Sequence, residues 1–374
     1  MNHRNQNQEE SGIGRRGFLK SAAGAAIAGS GVFARAQAKA PAAAKPLHAK
    51  LPRWRGFNLL EKFNKGRNRE FVEADFQWLS EWGFDFVRLP MDYRCWTGAV
   101  NPYKLDEKIL AHIDQAVEFG KKYGVHVSLN LHRAPGYTVA RPPEKLNLWK
   151  DPEAQKQFAF QWAAFAKRYR GIPSKRLSFG LVNEPARIDS KTYAAAARVA
   201  IAAIRKVDPD RLIISDGLQW GRDPVWELAT DRVAQSTRGY DPFKVSHYKA
   251  GWAGRKDWGA PPTWPMKQRR GDKEIVEGRQ WVCDNRIKPW KKLAAAGVGV
   301  HVGEWGAYKY TPHDVVLRWM TDLLELWAEA DFGWALWNFR GPFGLLDSGR
   351  TDVKYEDYKS HKLDRKMLDL LRAH

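Results

Sequence analysis

The sequence predicts a single α/β domain, a (β/α)8 or TIM barrel, on three observations. From residue 54 onward, short apolar runs alternate with amphipathic helical stretches, the pattern of parallel strands joined by crossover helices. Eight such runs occur, each apolar enough to be buried on both faces. Almost every run ends in a side chain suited to binding or proton transfer, at the end of the strands where a closed barrel carries its chemistry. A doubly wound open sheet is the structural alternative, but no Gly-rich phosphate turn follows the first run.

The first strand is read at Arg55–Leu60, with a helix over 70–82 that puts Phe71, Leu79 and Trp82 on one face. Strands at Phe84–Pro90, Val125–Leu131 and Leu177–Val182 follow, with helices over 105–122, 153–169 and 190–206. The fifth strand is Arg211–Ser215, before a short helix near 224–229. The sixth is placed at Phe243–Tyr248, followed by a long loop and a helix over 273–296. The seventh is Val298–Gly303, and its helix over 313–329 spaces Val315, Val316, Trp319, Leu323 and Leu326 at helical period. Phe332–Trp337 is the eighth, and a last helix covers 362–372. The strand ends then present Asn58/Glu61, Arg88, His132, Asn183/Glu184, Gln219/Trp220, His247/Tyr248, Glu304 and Trp337.

Residues ahead of the barrel have another character. Gly14-Arg15-Arg16-Gly17-Phe18-Leu19-Lys20, a mildly apolar Ala/Gly run and Ala36-Gln37-Ala38 resemble a twin-arginine export signal with a small-residue cleavage site. The family's usual Ser or Thr before the arginine pair is Gly14 here. Residues 1–38 are read as that signal, 39–50 as a flexible lead-in rich in Ala, Pro and Lys, and 51–374 as the catalytic domain. The apolar run is too short to span a bilayer, and no cysteine stands near the cleavage site to take a lipid. The expectation is an exported protein, periplasmic or secreted, monomeric and without a stable membrane anchor. Only two cysteines, Cys95 and Cys283, occur, so no disulfide framework is expected.

The formal charge is +20; the first 38 residues hold five basic and two acidic side chains, so the remainder still carries +17. The Lys and Arg are dispersed over many helices, which reads as a solvated surface, and no nucleic-acid motif accompanies them. Eighteen tryptophans suit stacking on sugar rings, with about half of them expected in the core.

Two strand ends carry the chemistry. Glu184 lies in Phe179-Gly-Leu-Val-Asn-Glu-Pro185, where Pro185 stops further pairing, and Glu304 in Val300-His-Val-Gly-Glu-Trp-Gly306. Strands four and seven face each other across a barrel mouth. Two carboxylates there, with no clustered metal ligands, are the minimum apparatus for cleaving a glycosidic bond.

With Gly56-Phe-Asn-Leu, Val87-Arg-Leu-Pro90, Leu129-Asn-Leu-His132, Ser246-His-Tyr248 and Trp334-Ala-Leu-Trp337 alongside, the chain resembles glycoside hydrolase family 5 from Gly56 to about Asp364. The resemblance implies a retaining β-glycosidase with Glu184 as acid/base, Glu304 as nucleophile and no cofactor or metal. A carboxyl separation of about 5–5.5 Å is then expected. It further implies that Arg88 hydrogen-bonds the nucleophile, Asn183 binds the sugar 2-hydroxyl, His132 lines the same pocket and Trp337 forms its stacking floor. The family usually shows His-x-Tyr at the end of the sixth strand, and here the order is Ser246-His247-Tyr248-Lys249. His247 and Tyr248 are both expected to face the cleft through a local irregularity, because adjacent strand residues normally point opposite ways.

Two loops are expected to set specificity, Ala134–Asp151 and Gly251–Asp272; the second carries Trp252, Trp258 and Trp264 among basic residues. Those indoles either stack on outer sugars or only fold the loop. The expected partner is a β-linked polysaccharide or oligosaccharide, foremost a β-glucan, with β-mannan or an exo-acting attack on β-1,3-glucan as alternatives. A catalytically silent sugar-binding barrel would have no need of both glutamates.

Overall fold

The computed structural model describes residues 45–98 and 100–374. The export signal and residues 39–44 of the lead-in lie outside the described residues. Residues 46–50 of that lead-in are tied down: the His48 carbonyl accepts the Gly299 N–H at 2.7 Å, and Leu47 packs under the barrel.

Eight strands form the barrel: β1 Arg55–Asn58, β2 Phe86–Asp92, β3 His126–Ala134, β4 Leu177–Gly180, β5 Leu212–Asp216, β6 Ala234–Gly239, β7 Val300–Trp305 and β8 Gly333–Leu336. Each pairs in parallel with the next, and β8 pairs with β1 to close the sheet. Closure leaves no barrel edge open to another chain. The main helices are α1 Glu73–Glu81, α2 Glu107–Tyr123, α3 Pro152–Arg168, α4 Ser190–Val207, α5 Phe243–His247, α6 Lys288–Ala295, α7 His313–Ala330 and α8 Arg365–Ala373. Local sequence sets their ends. In α2, the Asp106 carboxylate accepts the N–H of Lys108 at 3.0 Å, and Gly124 closes the helix at φ 70°, a conformation a Cβ would strain.

The two ends of the barrel interior differ in polarity. The floor is apolar: Trp54, Phe86, Leu212, Ile214, Ala234 and Ala335 pack there, with Trp54 stacked 3.8 Å from the His126 ring. Burial holds His126 and His301 neutral, each with its pKa lowered to about 3. Between sheet and helices, Trp162, Trp290, Trp319 and Trp327 are fully or almost fully buried. Twelve of the 18 tryptophans are buried, more than the expected half. Wide gaps between a curved sheet and its helices suit a side chain that buries about 150–250 Å².

One strand lies ahead of its expected place. The sixth strand is Ala234–Gly239, and the expected strand at Phe243–Tyr248 begins instead with α5, opened after Pro242. The run Ala-Gln-Ser-Thr-Arg-Gly carries few apolar residues because its polar groups are satisfied locally. On the outer face Gln235 accepts the Val225 N–H and donates to the Val225 carbonyl, at 2.9 and 2.8 Å, and Thr237 donates to the Gly221 carbonyl. The inner face bears Ser236 and Arg238. Two further boundaries shift. The expected helix over 273–296 is preceded by a hairpin, Met266–Arg270 with Lys273–Glu277, and starts at Arg279. A second hairpin, Glu356–Tyr358 with His361–Leu363, precedes α8.

Candidate active site

At the C-terminal mouth the strands converge three carboxylates and two guanidiniums. Glu304 gets there through a bulge. Val302 lies opposite Thr237 of β6, but Glu304 lies opposite Arg238, so the register slips by one across Gly303. Val302 and Thr237 face outward; the slip turns Glu304 inward with Arg238. Only glycine fits at the slip, since a Cβ on residue 303 would run into the Ser236 hydroxyl and the Arg238 guanidinium.

Arg88, on β2, holds Glu304 most closely. Its Nη1 donates to Glu304 Oε1 at 2.6 Å and to Asn58 Oδ1 at 2.9 Å. Its Nη2 donates to Asn130 Oδ1 at 2.8 Å and to Asn183 Oδ1 at 2.7 Å. Asn58 in turn donates to the Gly303 carbonyl at 3.0 Å, anchoring the bulge to β1. The Tyr240 hydroxyl donates to Glu304 Oε2 at 3.2 Å.

Arg238 forms the other bracket. Its Nε donates to Glu184 Oε1 at 3.1 Å, and its Nη2 lies 3.4 Å from Glu304 Oε1. The same Nη2 donates to Asn183 Oδ1 at 3.0 Å and to Asp216 Oδ2. Two guanidiniums therefore donate to one amide oxygen, which fixes the Asn183 side chain and leaves its buried Nδ2 without a protein partner. Glu184 follows at φ 48°; its N–H donates to Asp216 Oδ2 at 2.9 Å and its carbonyl accepts the Tyr137 hydroxyl at 2.7 Å. These contacts hold a turn that a non-glycine residue adopts only when its surroundings impose it.

Charge balance distinguishes the two glutamates. Three carboxylates against two guanidiniums leave one negative charge in excess unless a carboxyl is protonated. Burial, and then the Glu304 charge, raise the Glu184 carboxyl well above its usual range, while Arg238 pulls it down. Burial and Glu304 likewise push the Tyr240 phenol well up, so it stays a donor. His132 is driven well below its usual value by burial and then Arg88, and is a neutral ring.

The aromatic wall lies beside this cluster. His132, its Nδ1 buried without a partner, stacks 5.7 Å from the half-buried Trp337 ring, and Phe63 closes the group 4.5 Å from His132. Trp334, two residues before Trp337, is fully buried against Trp305 and Phe57 and serves the core.

Six of the eight residues expected at the site thus sit around one cleft: Glu184, Glu304, Arg88, His132, Asn183 and Trp337. His247 reaches its edge, with its ring 5.1 Å from Tyr240, stacked on Phe243, and its Nδ1 2.8 Å from Ser246 Oγ. Burial, then Arg222, lowers its pKa to about 4. Tyr248 does not join. Its hydroxyl donates to the Gly259 carbonyl at 3.2 Å and its ring packs on Trp258, so it braces the loop. The reason is the shifted strand: with β6 ending at Gly239, Tyr240 occupies the place beside Glu304 that Tyr248 was expected to fill. Arg238-Gly239-Tyr240 stands where the family pattern has His-x-Tyr. Asp216, the last residue of β5, belongs to the site although nothing in the sequence pattern singles it out. Arg238 and Tyr240 are missed with their strand, and the available signal for them is a charged residue and a tyrosine two positions apart after the continuous polar run Gln235-Ser-Thr237. Of the loop tryptophans, Trp258 and Trp264 are buried, the latter donating to Asp322 Oδ2 at 2.7 Å, and Trp252 is 63% exposed against Tyr308.

Among the described residues no group of three or more His, Cys, Asp or Glu is arranged to hold a metal ion. The family model described as "Cellulase (glycosyl hydrolase family 5)" matches residues 44–341. Endoglucanase C of Acetivibrio thermocellus is 28% identical over 317 residues, covering 79% of this chain and 92% of that protein. Cellodextrinase A of Ruminococcus flavefaciens is 28% identical over 272 residues, covering 69% and 75%. A solved structure titled as a glycoside hydrolase superposes with a TM-score of 0.81 at 40% identity, covering 86% of this chain and 99% of the other.

Proposed function

We propose that this chain, which belongs to glycosyl hydrolase family 5, hydrolyses a β-glucan with retention of configuration, Glu304 acting as nucleophile and Glu184 as acid/base. One observation carries the assignment of roles: the two carboxylates share a cleft but sit in opposite environments. Glu304 accepts from Arg88 and Tyr240 and lies within reach of Arg238, an environment for an anion. Glu184 is raised by burial and by its neighbour's charge, an environment for a proton.

In the first step the Glu304 carboxylate attacks the anomeric carbon, the glycosidic C–O bond breaks, and the Glu184 proton goes to the departing oxygen. In the second, Glu184 takes a proton from water, the water oxygen bonds the anomeric carbon, and Glu304 leaves as carboxylate. Esterification of Glu304 removes the charge that raised Glu184, which lets the same group serve as base. The free Nδ2 of Asn183 is placed to donate to the sugar 2-hydroxyl, and Trp337 with His132 and Phe63 to pack against the ring. The names of the relatives, an endoglucanase and a cellodextrinase, support a glucan substrate.

The test is a panel of β-glucans, mannan and xylan followed by reducing ends. Release from glucan foremost is expected; no cleavage of any polymer or aryl glycoside would overturn the reading. Azide should restore turnover of Glu184→Ala on an activated aryl glycoside, giving a β-glycosyl azide. For residues 1–38 we propose export by the twin-arginine route, supported by Arg15-Arg16 and Ala36-Gln37-Ala38. Replacing both arginines by lysine should retain the protein in the cytoplasm.

A further inference from the structure

Arg88 contacts one of the two glutamates; Arg238 contacts both. The negative charge of the reaction moves: it is on Glu304 before the glycosidic bond breaks and on Glu184 once Glu304 is esterified. A cation that served only Glu304 would lose its partner at that moment and leave the new Glu184 anion buried and uncompensated, an arrangement a low-dielectric site strongly disfavours. Among the described residues, Arg238 alone meets both carboxylates, with Nε 3.1 Å from Glu184 and Nη2 3.4 Å from Glu304.

We infer that Arg238 is a shared counter-ion that stays paired with whichever glutamate is negative, so that the charge passes from Glu304 to Glu184 without any side chain moving. Asp216 makes this possible. It neutralises the extra cation through Arg238 Nη2 and also accepts the Glu184 N–H at 2.9 Å, so one carboxylate fixes both the guanidinium and the backbone of the acid. The pair Arg238–Asp216 adds no net charge while placing its positive end between the glutamates. Gly221 lets it lie there, since a Cβ at that position would strike the Arg238 side chain. The other charged or titratable groups facing the cluster are Arg88 on β2, His132 on β3, Tyr137 after β3, Tyr193 on α4, Arg222 after β5, Tyr240 and His247 after β6, and His301 on β7. None of these touches both glutamates. Arg238 is thus a positioning and charge-balancing residue, acting through Glu184 and Glu304 and not on the sugar itself. The inference rests on the double-displacement reading above.

A structural role and a shared-counter-ion role separate in the pH profile. If Arg238 stabilises the Glu184 anion in both states, Arg238→Met raises the Glu184 pKa in the free enzyme and in the glycosyl-enzyme alike. The basic limb of kcat/KM and the acid limb of a deglycosylation-limited kcat should then both move to higher pH, by about one unit each. Below the acid limb, deglycosylation should slow about tenfold and the glycosyl-enzyme should accumulate as a burst of aglycone. Arg238→Lys, which keeps the charge, should hold both limbs within about 0.3 unit. If Arg238→Met does not fold, Asp216→Asn/Arg238→Met removes the pair without leaving a buried lone charge. A smaller shift of the same sign is expected there, because Arg238 acts on Glu184 more strongly than Asp216 does. A folded variant of either kind with both limbs unmoved and no burst would overturn the inference. Failure to trap any glycosyl-enzyme in the unaltered protein would instead overturn the mechanism on which it rests.

Discussion

The two sides of the barrel mouth solve opposite problems with the same residue type. On one side, Glu304 is 3% exposed at the end of a bulged strand, with a guanidinium at 2.6 Å and a phenol at 3.2 Å. On the other, the Glu184 side chain is 13% exposed, leaves its strand through a left-handed turn and accepts from one side chain, Arg238, at 3.1 Å. Donor number decides which carboxylate is negative. A buried anion needs charged donors around it, and the Glu304 side supplies them.

The sharpest way to break that asymmetry is to remove the donors from the anionic side. Arg88→Ala takes partners from Glu304, Asn58, Asn130 and Asn183 at once. It should lower kcat/KM at least about 1,000-fold and destabilise the fold by about 3–5 kcal/mol, the cost of removing one partner of a buried ion pair. Steady-state kinetics and denaturant unfolding check both parts. Tyr240→Phe deletes a single hydrogen bond to a charged group, worth about 1.5–3 kcal/mol, so about a tenfold to hundredfold loss of kcat/KM is expected, with a loss of stability no larger than that contribution.

Most of the site is legible in the sequence. Asn183-Glu184-Pro185 and Gly303-Glu304-Trp305 stand out because each ends an apolar strand, and a polar group at such a point has few structural uses. Arg88, His132 and Trp337 follow from the same logic. β6 was not legible in that way. Its inward residues, Ser236 and Arg238, are polar because they serve the site, and its outward Gln235 and Thr237 are polar because they bond neighbouring backbone. Hydropathy therefore passes over the strand, and the nearby Phe243-Lys-Val-Ser-His-Tyr248 supplies a better imitation of one. The bulge at Gly303 was equally hidden, since a register slip leaves no mark in composition.

The acid side is sharpened by stability. The raised Glu184 carboxyl means that the folded protein keeps a proton which the unfolded chain releases above about pH 4.5. Stability contributed at this position is therefore lost as pH rises from there through the raised folded value. Glu184→Gln escapes that loss. Its Tm should match the unaltered protein near pH 4 and exceed it by about 2–4 °C near pH 8, as scanning calorimetry at the two pH values would show. The smallest effect is expected at Tyr248, which belongs to neither side. Tyr248→Phe removes the hydroxyl from the Gly259 carbonyl and should cost about 1 kcal/mol or less, with kcat/KM unchanged within about twofold. A Tyr248→Phe defect as large as that of Tyr240→Phe would place the wrong tyrosine beside the nucleophile.

The central claim, that Glu304 is the anion and Glu184 the acid, is tested most directly by covalent capture. A 2-deoxy-2-fluoro β-cellobioside with a good leaving group should inactivate the protein with one sugar bound per chain. Peptide mass analysis should place that sugar on Glu304. A label on Glu184, or turnover of activated substrate with no captured intermediate under any condition, would contradict the account.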